Sequence, residues 1–174
     1  MSRKPFVVLV GMDFSELADR ALRQAFALAA RYEKAQVHVV CVVPGLHVDA
    51  PSSDPFVVTE MGVEEGVLES LRARVRTLWR EFVAHEEGSS TLRLEQLRSH
   101  VRLDSPATGI VQLAAEVHAD LIVMGTHGRQ CVPWLSLGSV AENTVRYASC
   151  PVLVVPPEAH GLHPALSPTL GGHS

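Results

Sequence analysis

A chain of 174 residues and 18.9 kDa is long enough for one domain with a sizeable core, held without disulfides or metals. Apolar residues make up 47% and charged residues 20%, which excludes a disordered, collagen-like or coiled-coil chain. The net charge of −4 and the presence of only two lysines, Lys4 and Lys34, argue against nucleic acid as a partner, since such proteins carry a basic face; any phosphate must be held largely without lysine.

The apolar run Phe6–Val10, rich in β-branched residues, predicts a first strand covered on both faces. Ser15 then offers an N-cap and Glu16 and Asp19 suit the helix dipole. Ala18, Leu22, Ala25, Phe26 and Ala29 recur at helical spacing, which predicts a helix from Ser15 to Tyr32. Val37–Val43 is a second buried strand, and residues 44–60, rich in Pro, Ser, Asp and Gly, read as a surface loop. A long helix is predicted over Val63–Glu87, broken by Gly88-Ser89-Ser90. Its stripe Val67, Leu71, Val75, Leu78 and Phe82 suits packing on a sheet more simply than a partner groove.

The third strand falls within Leu92–Leu103, where the alternation slips phase between Leu94 and Leu97, predicting a bulge or a shortened strand. Ser105-Pro106, a cap followed by proline, starts a helix whose apolar face is Ile110, Leu113, Ala114 and Val117. Leu121–Met124 is the fourth strand, Ser139–Ala148 a last helix, and Pro151–Val155 the fifth strand. Strands alternating with helices imply right-handed crossovers and an α/β, three-layer, Rossmann-like domain: an open five-stranded parallel sheet with helices on both faces. This domain is expected to span residues 1–157, with 158–174 a mobile tail whose His160, His163 and His173 lack a companion carboxylate or thiolate for a metal. Cys41, Cys131 and Cys150 show no metal-ligand spacing, and Cys41 and Cys150, in or beside apolar runs, read as small buried hydrophobes. With no signal-peptide pattern and no long apolar stretch, a soluble cytoplasmic protein without membrane contact is expected.

In an open parallel sheet, ligands bind beyond the carboxyl ends of the strands, where strand order reverses. That rule selects Gly11–Ser15, Val42–Pro44, Gly125-Thr126-His127-Gly128-Arg129 and Leu137-Gly138-Ser139. Gly125 and Gly128 let backbone amides converge on an anion, Gly138 precedes the free amides of a helix start, and Ser139 adds a hydroxyl. Asp13 is an acceptor suited to ribose hydroxyls. These residues fit a nucleotide lying across the carboxyl edge, although glycines after strands are also ordinary turn residues. No G-x-x-x-x-G-K-[ST] and no G-x-G-x-x-G occurs at the first strand, which excludes a P-loop NTPase and disfavours a dinucleotide site.

Gly125-x2-Gly128-x9-Gly138-Ser139 resembles the G-2x-G-9x-G-[S/T] pattern of the ATP-binding branch of the universal stress protein family. Asp13-Phe14-Ser15, Ala119–Gly128, Leu137–Asn143 and Cys150–Pro156 fall in that family's order, so the likeness covers nearly the whole folded part. The resemblance implies an adenine nucleotide alpha hydrolase-like fold and a stress-responsive, cytoplasmic, usually homodimeric protein that binds ATP, AMP or ADP, with Mg²⁺ resting mainly on phosphate oxygens. By position, Asp13 resembles the ribose-holding acid and Val42 the residue that meets adenine through its backbone. Met124 and Gly125 would line the sugar and α-phosphate, and Gly128, Gly138, Ser139 and Val140 would cradle phosphate. Arg129 is placed to pair a β- or γ-phosphate or to stand solvated in the loop. Pro133-Trp134 departs from the usual linker composition and bears on the triphosphate geometry.

The Val152–Val155 strand would be an aggregation-prone edge if left open, and pairing with a second copy would cover it. His127 has no partner at a spacing that secures general-base work, so a regulatory binder with at most slow hydrolysis is expected. The alternatives are a nucleotide-free dimeric scaffold and a genuine ATPase.

Overall fold

The computed structural model describes residues 4–44, 60–85, 91–127 and 137–157. The elements alternate: β1 (Phe6–Gly11), α1 (Glu16–Ala29), β2 (Ala35–Val43), α2 (Glu60–His85), β3 (Leu97–Leu103), α3 (Pro106–Glu116), β4 (Leu121–Gly125), α4 (Ser139–Tyr147) and β5 (Val152–Val155). All strand pairs are parallel and the sheet order is β3-β2-β1-β4-β5. The chain therefore winds outward from β1 to β3, then returns to β4 on the other side of β1. The reversal falls between β1 and β4, whose register pairs Val8 with Leu121 and Val10 with Val123.

Because successive strand residues point to opposite faces, the continuous apolar runs feed two cores. Val8, Val10, Val37, Val39 and Cys41 face α1 and α2, meeting Leu22, Phe26, Leu71, Val75 and Leu78. Leu9, Val40, Ile122 and Met124 face α3 and α4, meeting Ile110, Leu113, Ala114 and Ala141. The apolar stripe of α2 is thus spent on the core, with Val67 and Phe82 packed at its margin.

Ser15 caps α1 as expected, its Oγ accepting from Ala18 N at 3.2 Å. The helix ends at Ala29, short of Tyr32, because Arg31 N and Tyr32 N bond three residues back, to Leu28 O and Ala29 O, and tighten the chain out of the helix. β2 starts at Ala35, which pairs with Phe6. The phase slip before β3 is neither a bulge nor noise. Leu94–Gln96 form a 3₁₀ turn, and Gln96 Nε2 donates to Ala35 O at 2.7 Å while its Oε1 accepts from Arg93 N at 2.6 Å. The strand accordingly starts at Leu97 rather than Leu92.

Ser105 occupies the N-cap of α3 without capping it. Its Oγ donates to Thr108 Oγ1 at 2.6 Å, and the Pro106 start is retained. Cys41 is buried, whereas Cys150 is half-buried, with burial and the nearby Asp120 pushing its thiol pKa up. Cys131, the Gly88-Ser89-Ser90 break and the tail from 158 lie outside the described residues.

Candidate functional site

The carboxyl edge is shaped first by how β1 ends. Met12 N continues the ladder to Val40 O at 2.8 Å, and the chain then turns through Phe14, whose φ of 64° is in the left-handed region. A non-glycine residue seldom adopts that conformation; the ring gains core contact in exchange. The turn places Asp13 directly ahead of α1, with Oδ1 accepting from Ser15 N at 3.0 Å. One carboxylate oxygen orients the side chain, and Oδ2 has no bond within the described residues.

Across the reversal, β4 ends at Gly125, and Thr126 N donates to Val155 O at 3.0 Å. Gly138 N donates to Thr126 O at 2.8 Å, which ties the start of α4 to the end of β4. That bond fixes both ends of the segment carrying Gly128 and Arg129, two predicted site residues outside the described residues, as is Pro133-Trp134. A Cβ at Gly138 would stand 3.0 Å from Thr126 O and 3.4 Å from His127 Cα, a tight fit that a side chain would make only by pushing this turn apart by a few tenths of an ångström. Gly138 offers no side-chain cap, and the first-turn amides of Ser139 and Val140 retain their donor capacity. Ser139 is exposed and Val140 half-buried against the α3–α4 core.

The remaining predicted residues within the described part are held by the core or by neighbouring helices. Gly125 lacks a Cβ because α1 crosses it: a Cβ there would meet Leu17 Cβ at 2.9 Å. Met124 is buried at 5% exposure in the core, so its backbone alone reaches the edge. Val42 turns its side chain to α3, where a Cβ on Gly109 would meet both its methyls at 2.9 and 3.0 Å, leaving its backbone as the part free to meet a ligand. His127 Nδ1 lies 3.0 Å from Thr126 Oγ1. Thr126 was not singled out by sequence, and no side-chain signal marks it, because it acts through its main chain.

Two concavities among the described residues lie elsewhere. One of about 530 Å³ sits at the amino edge between Lys4, Arg31, Tyr32, Lys34 and Asp120. The other, of about 420 Å³, lies between α3 and α4. The first is walled by exposed, internally compensated charges, with Lys4 Nζ 3.6 Å from Asp120, and neither brings together free amides and an oriented carboxylate as the carboxyl edge does. Residues 45–59 and 128–136, which leave the carboxyl ends of β2 and β4, are outside the described residues. No group of three or more His, Cys, Asp or Glu side chains among the described residues is arranged to hold a metal, and no described helix is long and apolar enough to cross a membrane.

An open parallel sheet whose order reverses at β1/β4, with an acid after β1 and glycines joining β4 to a helix start, defines an α/β domain of the Rossmann-like class. The family model for the universal stress protein family matches residues 6–156. Universal stress protein MJ0531 of Methanocaldococcus jannaschii is 33% identical over 150 residues, covering 85% of this chain and 80% of that one. A Burkholderia pseudomallei protein of the same family is 32% identical with a TM-score of 0.54, over 87% of this chain and 96% of that one. The universal stress protein from Archaeoglobus fulgidus in complex with dAMP is 25% identical with a TM-score of 0.56, over 89% and 99%. The chain belongs to the universal stress protein family.

Proposed function

We propose that this chain is a stress-responsive, cytoplasmic regulatory protein that holds an adenine nucleotide, ATP or its AMP and ADP forms, across the carboxyl edge of the sheet. The observation that carries the reading is the junction of Gly138 N–H with Thr126 O, which brings the uncapped start of α4 to the strand-order reversal opposite the oriented Asp13 carboxylate. Asp13 Oδ2 takes the ribose hydroxyls, the Val42 backbone meets adenine, and the backbone of Met124 and Gly125 borders the sugar. Gly128, Gly138, Ser139 and Val140 cradle phosphate through amides and one hydroxyl, with Arg129 beside them. That the related A. fulgidus protein was solved with dAMP supports an adenine ligand here. The site fits the phosphate chemically, because its donors are amides at an uncapped helix start. Bound Mg²⁺ would rest on phosphate oxygens and water.

Hydrolysis is expected to be slow at most. The His127 ring is engaged with Thr126, and the described edge presents no lysine beside the phosphate position. Assembly as a homodimer through β5 is supported by that strand's place at the sheet edge and by the exposure of Leu153 on it.

Calorimetric titration of ATP into wild type, Asp13→Ala and Ser139→Ala tests the site. Asp13→Ala removes a charge-assisted bond worth about 1.5–3 kcal/mol, or about 10–100-fold in affinity, and Ser139→Ala about 1 kcal/mol. Equal affinity in all three would remove this site. No binding in wild type, with the dimer intact, would favour the nucleotide-free scaffold.

A further inference from the structure

The sheet face that carries α3 and α4 has a strip at its β2–β3 end where polar side chains stand in place of a core. Alternation puts Gln36 and His38 of β2 on the same face as Val40, and Arg98, His100 and Arg102 of β3 beside them. The two imidazoles meet there: His38 Nδ1 is 3.0 Å from His100 Nε2, with ring planes within 7° and ring centres 5.1 Å apart. The centre separation exceeds the N···N distance by nearly two ring radii, so the rings are joined in line, edge to edge, by a hydrogen bond rather than stacked face to face.

The proton positions follow from the partners. His38 Nε2 faces Gln36 Oε1 at 3.4 Å, and the tautomer that serves this acceptor carries the His38 proton on Nε2. Nδ1 is then the acceptor and His100 Nε2–H the donor, which requires the accepting His38 ring to be neutral. One added proton can be shared along the bond; a second sets two N–H groups against each other. The charged groups facing the pair are Arg98 and Arg102 of β3 and Glu116 of α3, the last already ion-paired with Arg102, while α2 packs on the opposite face. Burial, then His100 and Arg98, oppose protonation of His38 and lower it to about 4; burial, then Arg102 and Arg98, lower His100 against the opposite pull of Glu116.

We propose that the His38–His100 bond is an acid-released clasp that holds edge strand β3 onto β2. Among the described residues β3 has no sheet neighbour but β2, so its attachment rests on that ladder, on α2 from one face, and on this clasp and the Arg102–Glu116 pair from the other. The sign follows from linkage. Rings freed by opening regain an ordinary pKa of about 6.5 and take up protons before the clasped rings do. The clasp is therefore at full strength above pH 6.5 and weakens as pH falls toward 4. Between pH 7.5 and pH 5.0, opening of β3 becomes about 30-fold more favourable through His38 alone, with His100 adding to it.

Amide hydrogen exchange on the full chain, corrected for intrinsic rates, reads this directly. Protection of the Leu97–Leu103 amides is expected to fall at least 30-fold from pH 7.5 to 5.0, and the fall is expected to vanish in the double variant His38→Gln, His100→Gln, which keeps neutral hydrogen-bonding groups. No fall in wild type, or the same fall in the double variant, would overturn the clasp. Should the variant not fold, ¹⁵N spectra of the wild-type rings decide. His38 is expected to be protonated at Nε2 and bare at Nδ1, with its ring untitrated above pH 5.5, and a His38 ring titrating near 6.5 would overturn it.

Discussion

Asp19, at 3% exposure, is read from sequence as a first-turn acid complementing the α1 dipole, but its larger task lies 55 residues away. Arg74 Nε donates to Oδ1 at 3.0 Å and Nη2 to Oδ2, a bidentate pair that pins α2 to α1 and raises the pKa of the guanidinium. The pair is lopsided, since Arg74 keeps 42% of its side chain in water and Asp19 only 5%. Losing the arginine strands a buried carboxylate; losing the aspartate leaves a cation that reaches solvent. Arg74→Met should therefore cost about 2–3 kcal/mol and Asp19→Ala about 1 kcal/mol, the first taken at or below the lower end for buried pairs because half the guanidinium is already screened. Urea denaturation of both variants measures the order, and the reverse order would contradict this reading. Nothing in the sequence announces such a partner, because the contact exists only after α2 has docked.

At the scale of elements, α3 carries a glycine in its interior that helix propensity disfavours by about 1 kcal/mol against alanine. Gly109 is there because α3 lies so close to β2 that a Cβ would touch both Val42 methyls and stand 3.5 Å from Arg102 Cβ. Gly109→Ala, stabilising on an exposed helix, should here lower stability by about 1–3 kcal/mol. Thermal unfolding gives the sign, and a rise in midpoint would show that β2 yields to the added methyl. The same contrast separates what was legible in the sequence from what was not. β1, β4 and β5 announce themselves as unbroken apolar runs, and Ser15 as a cap, because local chemistry alone sets them. The start of β3 was obscure because it depends on Gln96 reaching Ala35 O, a contact 61 residues distant. In the site, Asp13 was legible as an acid after a strand, but the reason for Gly125 was not: its bare Cα makes room for Leu17 of α1.

For the whole molecule, the two sheet edges are treated differently. β3 carries Arg98 and Arg102 along its length, charges that discourage pairing with another strand, whereas β5 presents Leu153 at 38% exposure and no charge. A two-fold pairing of β5 with its copy would cover the open strand edge and Leu153. Light scattering should then give a dimer at micromolar concentration for wild type and a monomer for Leu153→Lys; a monomeric wild type would contradict the assembly. The central claim, that the carboxyl edge holds an adenine nucleotide, is tested most directly by equilibrium dialysis of labelled ATP against the purified, nucleotide-stripped chain. One nucleotide bound per chain is the predicted result; no binding at millimolar ATP would contradict it.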